Sequence, residues 1–237
     1  AVLCLAAVAI SLYVLGSYAG GIPAGWRPSI AGHAFGPTNS LTAFCILIGA
    51  SGSFVSQRRG WRQLGLAIAS LAAIGALARA IDFMVGTDIA ISITPFQAER
   101  LAEQAAGISN RMAIGAAASI LLCSAAALLI LVRRYSWAQF CAALAIGPPL
   151  ASAVATLLGV DIQLGRMGTL TLIDVLLWSG AILAGTGHRA ALRAILSDSL
   201  PGQFSRRQLA IGTLAPLAFA MLFARLLPAA EHPDAVA

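Results

Sequence analysis

Long apolar runs, separated by short polar connections, dominate the pattern of this chain. Seven runs approach the length of about 20 residues that a transmembrane helix needs. They cover residues 2–20, 40–56, 64–85, 112–132, 140–159, 170–185 and 209–227. The pattern predicts an all-α integral membrane bundle of about seven transmembrane helices, forming one domain over residues 1–237.

Composition agrees with this prediction, since 59% of the residues are hydrophobic, only 10% are charged and the mean hydropathy is +0.87. All 15 basic residues are arginine. Nine of them lie in the turns after the second, fourth and sixth runs, against four in the opposite loops. The positive-inside rule therefore places these turns and the N-terminus on the cytoplasmic side of the membrane and residue 237 on the outer side. Short arginine clusters between apolar runs do not form a basic face for nucleic acid.

Two polar connections contain amphipathic segments. Residues 95–106 follow Thr94 as a predicted N-cap, with Pro95 at the first helical position and Gln97 three residues after the cap. This pattern predicts a helix on the outer membrane surface, either a plug or a lid over a ligand cavity. Residues 188–197 interleave apolar residues with Arg189 and Arg193, which predicts a second interfacial helix on the inner side.

Shifts along the chain indicate an internal repeat. A shift of 55 residues places Arg111-Met112 on Arg166-Met167. At a separate shift of 76 residues, Trp61 and Gln63 match Trp137 and Gln139. The matches predict three two-helix units after a lone first helix.

A family resemblance rests on three features. They are the segment Pro37-Thr38-Asn39-Ser40-Leu41-Thr42-Ala43-Phe44 before an apolar run, the Arg-Met pairs at 111 and 166, and residues 196–202 followed by Arg206-Arg207. Over nearly its whole length the chain resembles the multi-pass N-terminal sensor regions of bacterial sensor histidine kinases and diguanylate cyclases. The resemblance implies a location in the bacterial inner membrane. It also implies one further span and a cytoplasmic PAS, kinase or GGDEF domain after residue 237. Because the chain begins in apolar sequence without methionine and shows an odd number of runs, we expect further sequence at both ends.

Charged residues inside the apolar runs are the candidate ligand-binding site, because such charges require partners or water. Arg79 and Asp82 are three residues apart, close enough to pair on one helix face. The predicted cluster, in the outer half, comprises Arg79, Asp82, Asp174, Arg225, Arg111 and Arg166, with His33 nearby. It would bind a lipid, an anionic molecule or a quinone-like molecule. The alternative is that these charges pair between helices and only fix the bundle, and an Asp174 without a basic partner would favour ligand binding.

The sequence lacks the motifs of several kinds of metal-binding and catalytic site. No two of His33, His188 and His232 share a helix face or a metal-ligand spacing. We identify no phosphate-binding glycine loop, nucleophile elbow or paired carboxylates, so we expect neither a catalytic site nor a metal. The four cysteines lie inside apolar runs and are predicted to be core residues.

The sequence therefore predicts a non-catalytic membrane sensor or anchor module of a bacterial signalling protein. The first alternative is an accessory subunit of a larger membrane complex, such as an energy-transducing assembly, and the second is a small transporter. Expected partners are membrane lipid and other membrane subunits or a second copy, with no nucleic acid. Small residues such as Gly16 and Gly20 allow close helix contacts within one subunit or across a dimer.

Overall fold

A computed structural model describes residues 1–20, 29–30, 33–34, 38–58, 60–105, 111–157, 167–200 and 202–208. These residues are mostly helical. The helices are α1 (Val2–Ala19), α2 (Ser40–Val55), α3 (Arg62–Val85), α4 (Ile89–Ser92), α5 (Gln97–Ala105), α6 (Ile114–Leu131), α7 (Tyr135–Leu144), α8 (Gly147–Leu157), α9 (Thr169–Thr186) and α10 (Ala190–Leu196). Residues 202–208 are also helical. Between α1 and α2, strands β1 (Ser29–Ile30) and β2 (His33–Ala34) form a two-residue antiparallel pair.

Among the described residues, five helical segments are long and apolar enough to cross a membrane: Val2–Ala19, Arg62–Val85, Ile114–Leu131, Tyr135–Thr156 and Thr169–Thr186. Helix α2 is equally apolar but has 16 residues, slightly short for a straight crossing. These are the features of a multi-pass membrane protein. The predicted seventh run, residues 209–227, lies outside the described residues, so the count of seven remains a prediction.

Contacts between helix termini show that successive long helices run in opposite directions. The Tyr18 hydroxyl at the end of α1 donates to the Thr38 carbonyl, 3.1 Å away and just before α2. At the opposite end, Arg62 Nη2 at the start of α3 donates to the Tyr135 hydroxyl at the start of α7, at 2.8 Å. We call the first end, which carries α4 and α5, the α5 end. The other, which carries Arg58, Arg62, Arg133, Arg134, Arg189 and Arg193, is the arginine end.

Small residues allow the helices to pack closely. A Cβ added to Gly52 of α2 would lie 2.6 Å from the Gly65 carbonyl oxygen of α3, so these two backbones are in direct contact. The Trp178 ring of α9 is fully buried against Gly49, and its indole N–H donates to the Ser53 hydroxyl at 2.8 Å. Large apolar side chains of α3 instead point outward, which gives the bundle an apolar exterior suited to lipid.

A proline pair divides the predicted fifth helix into α7 and α8. Proline has no N–H, so Pro149 leaves the Ala145 carbonyl without its helical donor. The buried Ser119 hydroxyl of α6 donates to that carbonyl at 2.9 Å. Proline in the middle of an apolar run predicts a kinked helix. Pro148 and Pro149 instead lie in the first turn of α8, where proline is tolerated, and the helix is broken before them.

The predicted repeat relates two glutamines that have different surroundings. Gln139 is buried and donates to the carbonyls of Thr186 and Arg189, at 2.9 and 2.8 Å. Gln63 is exposed. The described residues include two helix pairs, α2–α3 and α6 with α7–α8, whereas the second helix of the third unit lies outside them. The three-unit repeat therefore stays a prediction.

Candidate functional site

Arg79 and Asp82 do not form the predicted ion pair. Asp82 is buried and accepts three hydrogen bonds from the turn after α3: Thr87 Oγ1 at 2.7 Å, Ile89 N–H at 2.7 Å and Ala90 N–H at 2.8 Å. Its carboxylate thereby caps the first turn of α4, where backbone N–H groups have no helical partner. Arg79 Nε instead donates to the Met112 carbonyl at 2.7 Å. Both side chains fix the connections at the α5 end.

The remaining predicted cations do not assemble around these two residues in the part of the chain that is described. Arg111 faces solvent and lies 3.9 Å from Asp88, with side chains 54% and 69% exposed. Such a surface ion pair contributes about 0–1 kcal/mol. Arg166 and Arg225 lie outside the described residues, and only the backbone of His33 is described. Within the described ranges, no group of three side chains has the composition of a metal site.

Asp174 differs from the other predicted site residues that the structure describes, because its carboxyl group is fully buried and receives one hydrogen bond from the described residues. The Ser11 hydroxyl of α1 donates to Oδ2 at 3.0 Å. The other oxygen, Oδ1, is buried and has no hydrogen-bond partner within the described part of the chain. No described arginine or histidine lies within ion-pair distance of it. A carboxyl group in apolar surroundings is costly when it is not fully paired, and the described residues supply one donor to it.

A column of polar groups connects the Asp174 region to the α5 end. One helical turn above Asp174, the Thr171 hydroxyl donates to Thr38 Oγ1 at 3.4 Å. The Thr38 carbonyl accepts from the Tyr18 hydroxyl, which also lies 3.5 Å from Glu103 Oε2 of α5. Thr38, Thr171 and Tyr18 are all buried. In the opposite direction the fully buried Trp178 occupies the next turn of α9, and its indole N–H donates to Ser53.

The segment before α5 closes this column. Phe96 has a φ of 59°, in the left-handed region that a bulky residue rarely adopts. This conformation accompanies the stacking of its ring on Tyr18, with centroids 5.9 Å apart. The Pro95 carbonyl accepts from the Ser40 hydroxyl at 2.9 Å. Together these contacts hold α5 over the end of the column.

The predicted capping of α5 by Thr94 is wrong. The Thr94 hydroxyl donates backward to the Ala90 carbonyl at 2.6 Å, and the helix begins later, at Gln97. The reason is the reversal at Phe96, which separates Thr94 from the first turn of α5.

Four members of the column, Ser11, Tyr18, Thr38 and Thr171, were absent from the sequence prediction. Ser11 and Thr171 are isolated small polar residues in apolar helices, and such residues commonly bond to their own backbone. The available signal was a small hydroxyl residue within an apolar helix. To pair it with a charged residue of another helix, one must know how both helices are rotated about their axes.

No family model, no curated protein and no solved structure matches this chain.

Proposed function

We propose that the chain is the non-catalytic sensor module of a bacterial membrane signalling protein, with Asp174 as its receptor group. The apolar helices and the resemblance to sensor regions of histidine kinases and diguanylate cyclases support this proposal. In this orientation the arginine end faces the cytoplasm, on the side where an output domain would lie, and the α5 end faces outward.

The observation that carries the proposal is the unpartnered oxygen of the buried Asp174 carboxyl group. An ion pair that stabilises the bundle would place a cation beside it, and the described residues supply none. A free acceptor in an apolar site gains most from a ligand that brings a hydrogen-bond donor or a positive charge. A lipid-soluble molecule with a hydroxyl, such as a quinol, fits this chemistry better than an anion.

The enclosed position of Asp174 makes α5 the lid of the proposed site. The lid is fastened by Tyr18, Ser40 and the strained Phe96, so its release would open the polar column from the outer side. On α9 the fully buried Trp178 ring lies one turn beyond Asp174, toward the arginine end. A bulky ring at this point favours a sensor over a transporter, which requires an open path through the whole bilayer.

The test uses the full-length protein at its native level in its own membrane. Asp174→Asn keeps the size of the side chain and an acceptor for Ser11, while Ser119→Ala is the control for loss of a buried serine hydrogen bond. We expect Asp174→Asn to change the transcript profile or the cyclic diguanylate level at unchanged abundance in the membrane, and the control to leave both unchanged. Wild-type output from Asp174→Asn, or reduced abundance as its only effect, would refute the receptor role.

A further inference from the structure

A second site candidate lies at the arginine end, far from Asp174. A cavity of about 210 Å³ that opens to the surface is lined by residues of α2, α3, α6, α7 and α9 and by Arg189. Its polar rim includes Gln57, Arg62, Tyr135 and Arg189, and its apolar wall includes Leu66 and Ile182. No acidic side chain of the described residues lines it.

The two arginines of the rim meet at one aromatic ring. The guanidinium carbon of Arg189 lies 4.5 Å from the Tyr135 ring centroid and that of Arg62 lies 5.9 Å from it. Arg62 also donates to the Tyr135 hydroxyl. Cation–π contacts contribute about 0.5–1 kcal/mol each at exposed sites and leave the positive charge uncompensated. The ring therefore positions two like charges at the cavity without neutralising them.

Both guanidinium groups retain hydrogen-bond donors for a ligand. Arg62 uses one nitrogen for the Tyr135 hydroxyl, and Arg189 uses Nε for His188 Nε2, at 3.0 Å. Neither arginine has a carboxylate within ion-pair distance among the residues that the structure describes. A planar guanidinium with free N–H groups matches the oxygens of a phosphate group.

The backbone at Arg189 is held firmly enough to define the rim. Gln139 donates to the Thr186 and Arg189 carbonyls, and its own amide oxygen accepts from the Leu192 N–H at 3.1 Å. One buried side chain thus fixes the turn between α9 and α10. The cavity is smaller than the roughly 300–1,000 Å³ typical of drug-sized ligands, so it suits a phosphate group with a few attached atoms rather than a nucleotide.

We propose that this cavity binds the phosphate group of an anionic ligand, through Arg62 and Arg189 held on Tyr135. Two sources share this chemistry: the headgroup of an anionic phospholipid and free phosphate from the aqueous phase. The apolar wall beside the rim would receive the first carbons of a lipid. This proposal does not depend on the sensor role of Asp174.

The experiment uses the purified full chain in phosphatidylcholine nanodiscs, with two probes. Inorganic phosphate is titrated in solution, and in a separate series phosphatidylglycerol replaces part of the lipid. Thermal unfolding reports binding, and native mass spectrometry after delipidation counts retained phosphatidylglycerol. The test variant is Arg62→Gln/Arg189→Gln. The control is Arg134→Gln/Arg193→Gln, which removes the same charge from exposed positions at the same end.

We expect stabilisation of the wild type and the control by one or both probes, and at least about tenfold weaker binding by the test variant, since hydrogen bonds to charged groups have this magnitude. Stabilisation by phosphatidylglycerol alone identifies a lipid headgroup, and stabilisation by phosphate identifies a free anion. Arg62→Lys/Arg189→Lys, which keeps the charge, should recover part of the binding and covers the case in which the glutamine variant does not fold. Equal responses of test and control, or no response of the wild type to either probe, would overturn the proposal.

Discussion

Asparagine at position 174 should stabilise the protein, whereas asparagine at position 82 should destabilise it. Both aspartates are buried in membrane-spanning helices and both changes preserve side-chain size. They differ in hydrogen bonding, because Asp82 accepts three donors and Asp174 accepts one. The sign of the change in the free energy of unfolding therefore tests whether Asp174 is a structural group.

The magnitudes follow from the partners that each substitution leaves behind. At position 174 the amide oxygen still accepts from Ser11, and an amide, which never carries a charge, replaces a poorly paired carboxyl group, a gain of roughly 1–2 kcal/mol. At position 82 an amide NH₂ faces backbone or hydroxyl donors, so at least one buried donor loses its acceptor, a loss of about 2–3 kcal/mol. In a chain of this size these values correspond to a rise in Tm of about 2–8 °C and a fall of about 4–12 °C.

Thermal unfolding of the detergent-purified variants at neutral pH measures both shifts. Ser11→Ala provides the control, since it should destabilise the wild type more than the Asp174→Asn background, because a hydrogen bond to a buried carboxyl group is replaced there by one to a neutral amide. A fall in Tm for Asp174→Asn as large as that for Asp82→Asn would mean that Asp174 stabilises the bundle, and the reasoning that makes it a receptor group would be refuted.

Three further predictions concern packing, the lid and orientation. Gly52→Ala should lower Tm, because the added methyl group clashes with the backbone of α3 at a cost of about 2–3 kcal/mol. Gly16→Ala, which has open space around it, should leave Tm unchanged, and equal Tm values for the two variants would contradict the close contact. Tyr18→Phe should speed amide hydrogen exchange in α5, and an unchanged rate would show that other contacts hold the lid. In a background without native cysteines, Arg58→Cys should react with a membrane-impermeant thiol reagent only after cell lysis and Gln104→Cys in intact cells, and the reverse would invert the proposed orientation.

The helices could be predicted from the apolar runs because bilayer thickness sets the length of a transmembrane helix. A run of apolar residues of that length is visible in the sequence, and in lipid its backbone must satisfy its own hydrogen bonds. Where proline interrupts a run, the structure of the helix differs from a simple kink. The proline pair at 148 and 149 predicted a distorted helix, and the distortion is a break that Ser119 compensates from another helix. Its exact form depends on which donor lies opposite Ala145, and the local sequence does not specify that donor.

Side-chain partners were the least predictable feature. The spacing of Arg79 and Asp82 places them on one face, yet each bonds to backbone groups of a neighbouring connection. Such backbone groups are present at every helix end whatever the sequence, so residue types cannot reveal them as competitors. Similarly, helices as uniformly apolar as α1 and α9 carry no amphipathic stripe to fix their rotation, so Ser11 could not be assigned to Asp174 in advance.

Helix α9 connects the two candidate sites and is unbroken between them. Asp174 lies near its first turns, and Thr186 at its other end is held by Gln139 beside the arginine-lined cavity. Twelve residues of helix separate these positions by about 18 Å. A packed helix moves as one body. A ligand that shifts Asp174 away from Ser11 must therefore also displace the Thr186 carbonyl from Gln139, or strain the helix between Asp174 and Thr186. The fixation of the α9–α10 turn by one buried side chain therefore makes that turn the point at which a displacement at the α5 end would reach the arginine end.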